Sequence, residues 1–295
     1  MKLTQIRNAT VLLEYGGVRF LIDPMLSPKG ALPPCHSRVR PEARNPLCDL
    51  PCPVETLLDV DAVIVTHLHP GHFDQAAAQL LSKNKPVFVQ NARDREALRY
   101  YGFQQVTGLE ASTIFSGVTL TKIPGRYGNW EEEMLDRMGS VCGVMFQAPV
   151  EPCLYATGDT VWYPGVEHAV REFLPQVVLA NAGRNMGWQH QSNMGKDDVF
   201  ALYQAVPSAL IVATHMEDLN HWTLSRHELR DFARRKGFLS QLRTPTNGES
   251  IFISSSRMLD PMKNEGNILP LAKGSRVAVI GEFARNARYQ GPVPQ

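Results

Sequence analysis

The sequence predicts a layered helix–sheet–sheet–helix (αββα) sandwich of the α/β (α+β) class. Three observations carry this. Antiparallel β segments come first, strands and helices then alternate, and the chain holds two β-rich halves, each followed by helices. Its 295 residues, 43% hydrophobic and 20% charged, are enough to bury a sizeable core.

The elements follow in order. Lys2 to Ile6, Ala9 to Tyr15 and Val18 to Ile22 are short and β-branched, and Gly16-Gly17 is a hairpin turn signal, so the chain opens as a β meander. Asp23-Pro24 ends that unit. Residues 25–56 are rich in Pro, Arg and Cys without periodicity and read as a long loop, of a length that is usually either a functional lid or flexible. Val60 to Thr66 is an apolar run and reads as a buried strand. Ala76 to Ser82 reads as helix, Pro86 to Gln90 as strand and Arg93 to Tyr101 as helix. Strands are expected at Thr119–Ile123, Val141–Gln147 and Cys153–Thr157. Val166 to Phe173 (helix), Gln176 to Ala180 (strand), Lys196 to Ala205 (helix) and Ala209 to Ala213 (strand) continue the alternation. Ser225 to Gly237 is a helix with Ser225 as N-cap and Glu228 at the capping-box position. Gly248 to Ile253 is the last strand.

Composition narrows the function classes. With 30 Lys+Arg against 29 Asp+Glu the net charge is +1, which gives no basis for binding nucleic acid or an acidic membrane. No apolar run is long enough to cross a membrane. The opening MKLTQIRNATVLLEYGG alternates and carries Glu14, unlike a signal peptide. An odd set of cysteines, Cys35, Cys48, Cys52, Cys142 and Cys153, points to reduced thiols in a cytoplasm. Cys35, His36, Cys48 and Cys52 share the Pro-rich loop and form a second candidate zinc set, although their spacing matches no zinc-finger pattern.

The strongest chemical signal is His67-Leu68-His69-Pro70-Gly71-His72-Phe73-Asp74, directly after a buried strand. Imidazole is a preferred ligand of zinc and of several other divalent ions. Two further strand ends carry ligand types: Asp159 in Ala156-Thr157-Gly158-Asp159-Thr160, and His215 in Ala213-Thr214-His215-Met216-Glu217. Alone, each is a common turn residue; three strand ends together point to a metal.

The motifs HLHPGHFD, ATGDT and ATHMEDLNH, together with IRNATVLLEYGGVRFLIDP, KIPGRYG and VVLANAG, resemble the metallo-β-lactamase superfamily. They are most similar to its ascorbate-6-phosphate-lactonase-like branch of metal-dependent hydrolases. The resemblance spans roughly residues 1–253. It implies an αββα sandwich with the metal site at one edge, between the two sheets. It also implies a first metal site of His67, His69 and the residue at Tyr127, and a second of the residue at Gly71, His72 and His215, with Asp159 bridging. Tyr127 and Gly71 depart from the His and Asp of the pattern, and Asn8 stands where the branch has His. The expected metal set is therefore His67, His69, His72, Asp159, His215 and Tyr127, holding one Zn2+ (or Mn2+) rather than two, since the second position lacks a carboxylate. Gly71 is also expected to free the backbone of the turn that holds His72.

The resulting expectation is a metal-dependent hydrolase of an ester, lactone or phosphodiester-type bond, with metal-activated water. Asp159 would orient the water or accept its proton, and His221 would donate a hydrogen bond to substrate or simply begin a helix. Arg126 either holds an anionic group or forms a surface ion pair. His190 is a rim candidate or merely exposed, and Trp130, Trp188 and Trp222 line a pocket or belong to the core. The expected partner is a small-molecule substrate, either anionic or neutral, with no nucleic acid and no membrane, in a chain able to form a homo-oligomer. The alternative is an impaired descendant that binds a ligand or nothing. Domain boundaries are expected at 1–256 for the sandwich and 257–295 for a foreign-looking tail. KNEGNILPLAKGSRVAVIGEFARNARYQG resembles a fragment of a family 3 glycoside hydrolase, with one strand at Arg276 to Gly281 and no carboxylate pair. That tail is expected to pack loosely.

Overall fold

The computed structural model describes residues 1–37, 39–128, 139–185 and 191–254. The tail expectations, and those for Trp130, Trp188 and His190, lie outside the described residues. Met1–Met258 form one compact unit.

Two seven-stranded sheets form its centre. The first contains β1 (Lys2–Arg7), β2 (Thr10–Tyr15), β3 (Val18–Ile22), β4 (Ala62–Val65), β5 (Val87–Val89), β6 (Val106–Gly108) and β14 (Ser250–Phe252), in the order β14-β1-β2-β3-β4-β5-β6. The second contains β7 (Thr113–Phe115), β8 (Val118–Pro124), β9 (Cys142–Gln147), β10 (Leu154–Ala156), β11 (Val177–Asn181), β12 (Leu210–Thr214) and β13 (Leu242–Arg243), in the order β13-β12-β11-β10-β9-β8-β7. Each sheet is antiparallel on one side and parallel on the other. The switch falls at β3 in the first and at β10 in the second.

Helices cover both outer faces, and alternation along the strands divides the core. Ala62 and Ile64 of β4 face the second sheet, meeting residues such as Val144 and Leu179. Val63 and Val65 face α1 (Val54–Leu58), α2 (Gln75–Leu80) and α3 (Ala92–Tyr100) through Leu57, Ala77 and Leu98. On the opposite side α4 (Pro164–Phe173), α5 (Lys196–Ala205) and α6 (Arg226–Lys236) pack Val166, Val199 and Leu229 onto Val178 and Ile211. This is the predicted four-layer αββα sandwich. The period of two in each strand serves two cores at once, which is why these strands read as continuous apolar runs.

The meander turns at Gly16 and Gly17, with φ of 60° and 79°, the left-handed pair a two-residue hairpin loop requires. The capping box at Ser225 and Glu228 is present. Three strands were not expected: β6, β7 and β13. They have three, three and two residues and close three of the four sheet edges, where half-exposed short segments carry no periodicity. The 25–56 stretch is mostly loop, with α1 starting at its end. It is held down by the fully buried Arg7, whose guanidinium donates to the carbonyls of Met25 (2.6 Å), Ser27 (2.9 Å) and Cys48 (3.0 Å). Among the described residues no helix is long and apolar enough to cross a membrane.

Candidate metal centre

β1, β3, β4, β8, β10 and β12 all deliver a polar residue to one rim of the sandwich, just past their C-terminal ends. These are Asn8, Asp23, His67, Tyr127, Asp159 and His215. Open sheets place ligands at the carboxyl ends of their strands because each strand stops there and releases a turn. A cavity of about 160 Å³ opens at this rim. Its walls include His69, His72, Tyr127, Asp159, His215 and His221.

His67, His72 and Asp159 each offer a ligand atom within 4.8 Å of the others, and all three are buried. His72 Nε2 lies 3.3 Å from Asp159 Oδ2, and His215 Nδ1 lies 3.2 Å from Asp159 Oδ1. The carboxylate thus meets one imidazole on each oxygen, while Asn181 Nδ2 donates to Oδ1 at 2.9 Å. Tyr127 Oη lies 2.6 Å from His67 Nε2. The His69 ring is 6.0 Å from that of His67 and 6.2 Å from that of His72. The tight trio therefore joins residues that the resemblance divided between two metal positions, with His69 farther out.

The electrostatics follow from burial. Burial opposes a charge on His72, but Asp159 and Asp23 outweigh it and lift its pKa to about 10. Burial likewise opposes a charge on Asp159, yet His215 and His72 hold its carboxyl well below the usual range. Burial and the neighbouring His72 push His67 well below its ordinary value and His69 to about 4. Burial drives His215 well down despite Asp159, and burial with His69 pushes His221 to about 4. Burial thus disfavours charge on His67, His69 and His215, while the two carboxylates favour it on His72. Burial, then Asp159 and Asp23, push the Tyr127 phenol well up.

The residues fit a divalent cation. His215 leaves Nε2 buried with no hydrogen-bond partner among the described residues, an arrangement that costs free energy unless a ligand takes it up. Imidazoles and a carboxylate without thiolate suit zinc or manganese. The loop cysteines form no comparable group among the described residues: Cys48 Sγ instead donates to Asp218 Oδ1 at 3.2 Å.

The backbone at this rim is held in costly conformations. Asn8, Asp23 and His215 have φ of 53°, 47° and 63°, the left-handed region that non-glycine residues avoid. His215 N donates to Asn8 O at 2.9 Å. Gly158, with φ of 59°, lies where a Cβ would be 2.2 Å from the Cys142 carbonyl oxygen, so the residue before Asp159 is a glycine by necessity. Gly71 has a different reason from the one expected. Its φ is not positive, and a Cβ would stand 3.3 Å from His69 Nδ1 and Leu219 Cδ1 and 3.4 Å from Asn8 Nδ2. A side chain there fits only if those three side chains give by a few tenths of an ångström. Asn8 Nδ2 donates to Gly71 O at 2.9 Å, and Trp222 Nε1 donates to Asn8 Oδ1 at 2.8 Å. Asn8 and Gly71, both departures from the motif pattern, therefore touch.

Sequence reasoning missed Asp23, Asn181 and Asn193. Asp23 orients His72 at 2.8 Å from Nδ1 and accepts from Thr66 N (2.8 Å) and Thr66 Oγ1 (2.7 Å). Asn193 Nδ2 lies 3.4 Å from His215 Nδ1. For Asp23 the available signal was a polar residue directly after a buried strand, which reads equally as a turn. Arg126 is half-buried and is not among the described residues that line the cavity. Trp222 does line it.

Fold and site together define a class: an αββα protein with a buried histidine–carboxylate centre at the sandwich rim. The family described as "Beta-lactamase superfamily domain" matches residues 18–216. UPF0173 protein YddR of Bacillus subtilis is 45% identical over 252 residues, covering 85% of this chain and 99% of that protein. A UPF0173 metal-dependent hydrolase of Staphylococcus haemolyticus is 24% identical over 73% of this chain and 85% of its own length. Among solved structures, an isothiocyanate hydrolase from Delia radicum gut bacteria is 39% identical, with TM-score 0.82, over 86% of this chain and 100% of that chain. A possible metal-dependent hydrolase of Veillonella parvula is 36% identical, with TM-score 0.82, over 86% of this chain and 99% of that one. The chain belongs to the metallo-β-lactamase superfamily and, within it, to the UPF0173 metal-dependent hydrolase family.

Proposed function

We propose that this protein hydrolyses a small, uncharged electrophile with one divalent ion, zinc or manganese, and that isothiocyanates are its substrate class. The observation that carries the reading is the convergence of His67, His72 and Asp159 within 4.8 Å, beside a cavity with no Lys or Arg among its described lining residues. A phosphodiester would find no Lys or Arg among those described residues to meet its charge. The ester and lactone bonds expected from the sequence, and kinship to the lactonase-like branch, share the feature that matters: water attacking an unsaturated carbon. The isothiocyanate carbon is favoured because the structure 39% identical to this chain is an isothiocyanate hydrolase.

His67, His72, Asp159 and His215 would hold the ion, with Tyr127 and His69 at its margin. When bound, the ion supplies a water of lowered pKa and polarises the electrophile. Asp159, whose carboxyl His215 and His72 hold below the usual range, orients that water. His221 is neutral and offers a hydrogen bond to the charge developing on the substrate heteroatom. Water adds across the C=N bond, oxygen to carbon and a proton to nitrogen. The thiocarbamic acid then releases carbonyl sulfide and leaves the amine. None of the five cysteines forms a disulfide, which supports action in a cytoplasm, and a homo-oligomer remains part of this reading.

The test is protein purified without chelator, assayed with allyl isothiocyanate for amine release. One equivalent of metal and turnover abolished by chelator or by Asp159→Asn are expected. Two tightly held equivalents would overturn the one-ion reading. No turnover by metal-loaded protein would favour the impaired descendant, for which the substituted ligand positions Gly71 and Tyr127 speak.

A further inference from the structure

We infer that Asn220 is a positioning residue that locks the Pro-rich loop as a fixed wall of the substrate cavity and so sets which substrates fit. Asn220 is fully buried, and its side-chain amide uses every hydrogen bond it can make. Oδ1 accepts from Cys35 N at 3.0 Å and from Asn45 Nδ2 at 2.9 Å. Nδ2 donates to Cys35 O at 2.8 Å and to Arg40 O at 3.0 Å. The Asn220 backbone joins in: its N donates to Asn45 Oδ1 at 2.8 Å, and its O accepts from Ser37 Oγ at 3.0 Å and Arg40 Nε at 3.3 Å.

The partners lie far away in sequence, on the loop of residues 25–56, and they bracket the part of it that matters. Cys35 and His36 line the cavity, as do Leu219, His221 and Trp222 on either side of Asn220. Arg40 reinforces the joint, with Nη2 donating to Leu219 O (3.2 Å) and Trp222 O (3.0 Å). One amide therefore fixes two cavity walls against each other: the loop that carries Cys35 and the turn that carries His221. A polar loop segment without regular structure would otherwise open locally at little cost. Four bonds to a buried amide make that opening expensive, because each opening leaves buried donors and acceptors unmatched. Asn220 touches none of His67, His72, Asp159 or His215 in these bonds, so its effect falls on substrate fit and not on the metal.

The inference rests on the proposed function for its substrate readout, and a second readout is independent of it. Asn220→Ala and Asn220→Asp, with Arg40→Ala as a milder opening of the same joint, are compared with the wild-type chain. The rate of Cys35 alkylation by iodoacetamide, resolved by peptide mass spectrometry, should rise about tenfold or more in folded variants as the strap opens. For allyl isothiocyanate, KM should rise about tenfold while bound metal stays within about twofold, since the strap shapes the cavity and supplies no metal ligand. Unchanged Cys35 labelling in folded Asn220→Asp and Arg40→Ala overturns the inference, as does loss of metal and kcat without a change in KM. Faster labelling in a protein that hydrolyses no isothiocyanate would leave the strap standing and sink the substrate reading alone.

Discussion

Asp23 touches no cavity surface, yet it decides how His72 points. Its carboxylate lies 2.8 Å from His72 Nδ1, which leaves Nε2 turned toward Asp159 at 3.3 Å. Orienting partners of this kind typically shift metal affinity by about 10- to 100-fold. Asp23→Asn should weaken metal binding by that factor, measured by competition against a chromophoric chelator; unchanged affinity would remove Asp23 from the site. Gly71 poses the opposite problem, too little room. A methyl there meets three atoms at 3.3–3.4 Å, and overpacking of this kind costs about 1–3 kcal/mol. Gly71→Ala should lower stability by that amount in urea titration. A neutral result would mean that the His69–Asn8 surroundings yield more easily than their contacts indicate. Neither role was legible in the sequence, because both depend on chain segments meeting across the rim.

At the scale of elements, α6 illustrates what local sequence encodes. Ser225 Oγ accepts from Glu228 N at 3.2 Å, and Glu228 Oε2 accepts from Ser225 N at 2.9 Å. Gly237 ends the helix at a φ of 79°. Donation from Ser225 N and from Ser225 Oγ (2.7 Å) to that carboxylate holds Glu228 below its ordinary value. The folded-state pKa is depressed, so the box contributes fully above the ordinary glutamate value and fades as pH falls through the lowered one. Ser225→Ala should cost ~1 kcal/mol near neutral pH, and the difference from wild type should shrink on acidification. Thermal melts at several pH values would show this, and a difference independent of pH would contradict it. Helices and long strands were legible because caps and periodicity are local. β6, β7 and β13 were not, because edge strands of two or three residues exist only through the neighbours they pair with.

For the whole molecule, the ion and the fold are linked. The ligands come from the ends of β4, β10 and β12, so a bound cation ties the first sheet to the second. Any ligand that binds only the folded state stabilises it, by ~2.7 kcal/mol at a hundredfold excess over Kd. For a unit of this size that is a rise in Tm of roughly 5–10 °C. Zinc or manganese should produce it, chelator should reverse it, and Asp159→Asn should show neither. An unchanged Tm would mean that the buried cluster holds no ion.

By itself the sequence determined the four-layer architecture and the ligand-bearing strand ends, because alternation, apolar runs and caps act within a few residues. HLHPGHFD, Asp159 and His215 stood out for their residue types. Only the tertiary structure decided which imidazoles share a point, grouping His67 with His72 and Asp159 and leaving His69 farther out. It alone gave Asp23, Asn8 and Asn220 their roles. Convergence at a rim is fixed by how two sheets pack and by which buried polar atoms must find partners, and a linear pattern does not carry that information.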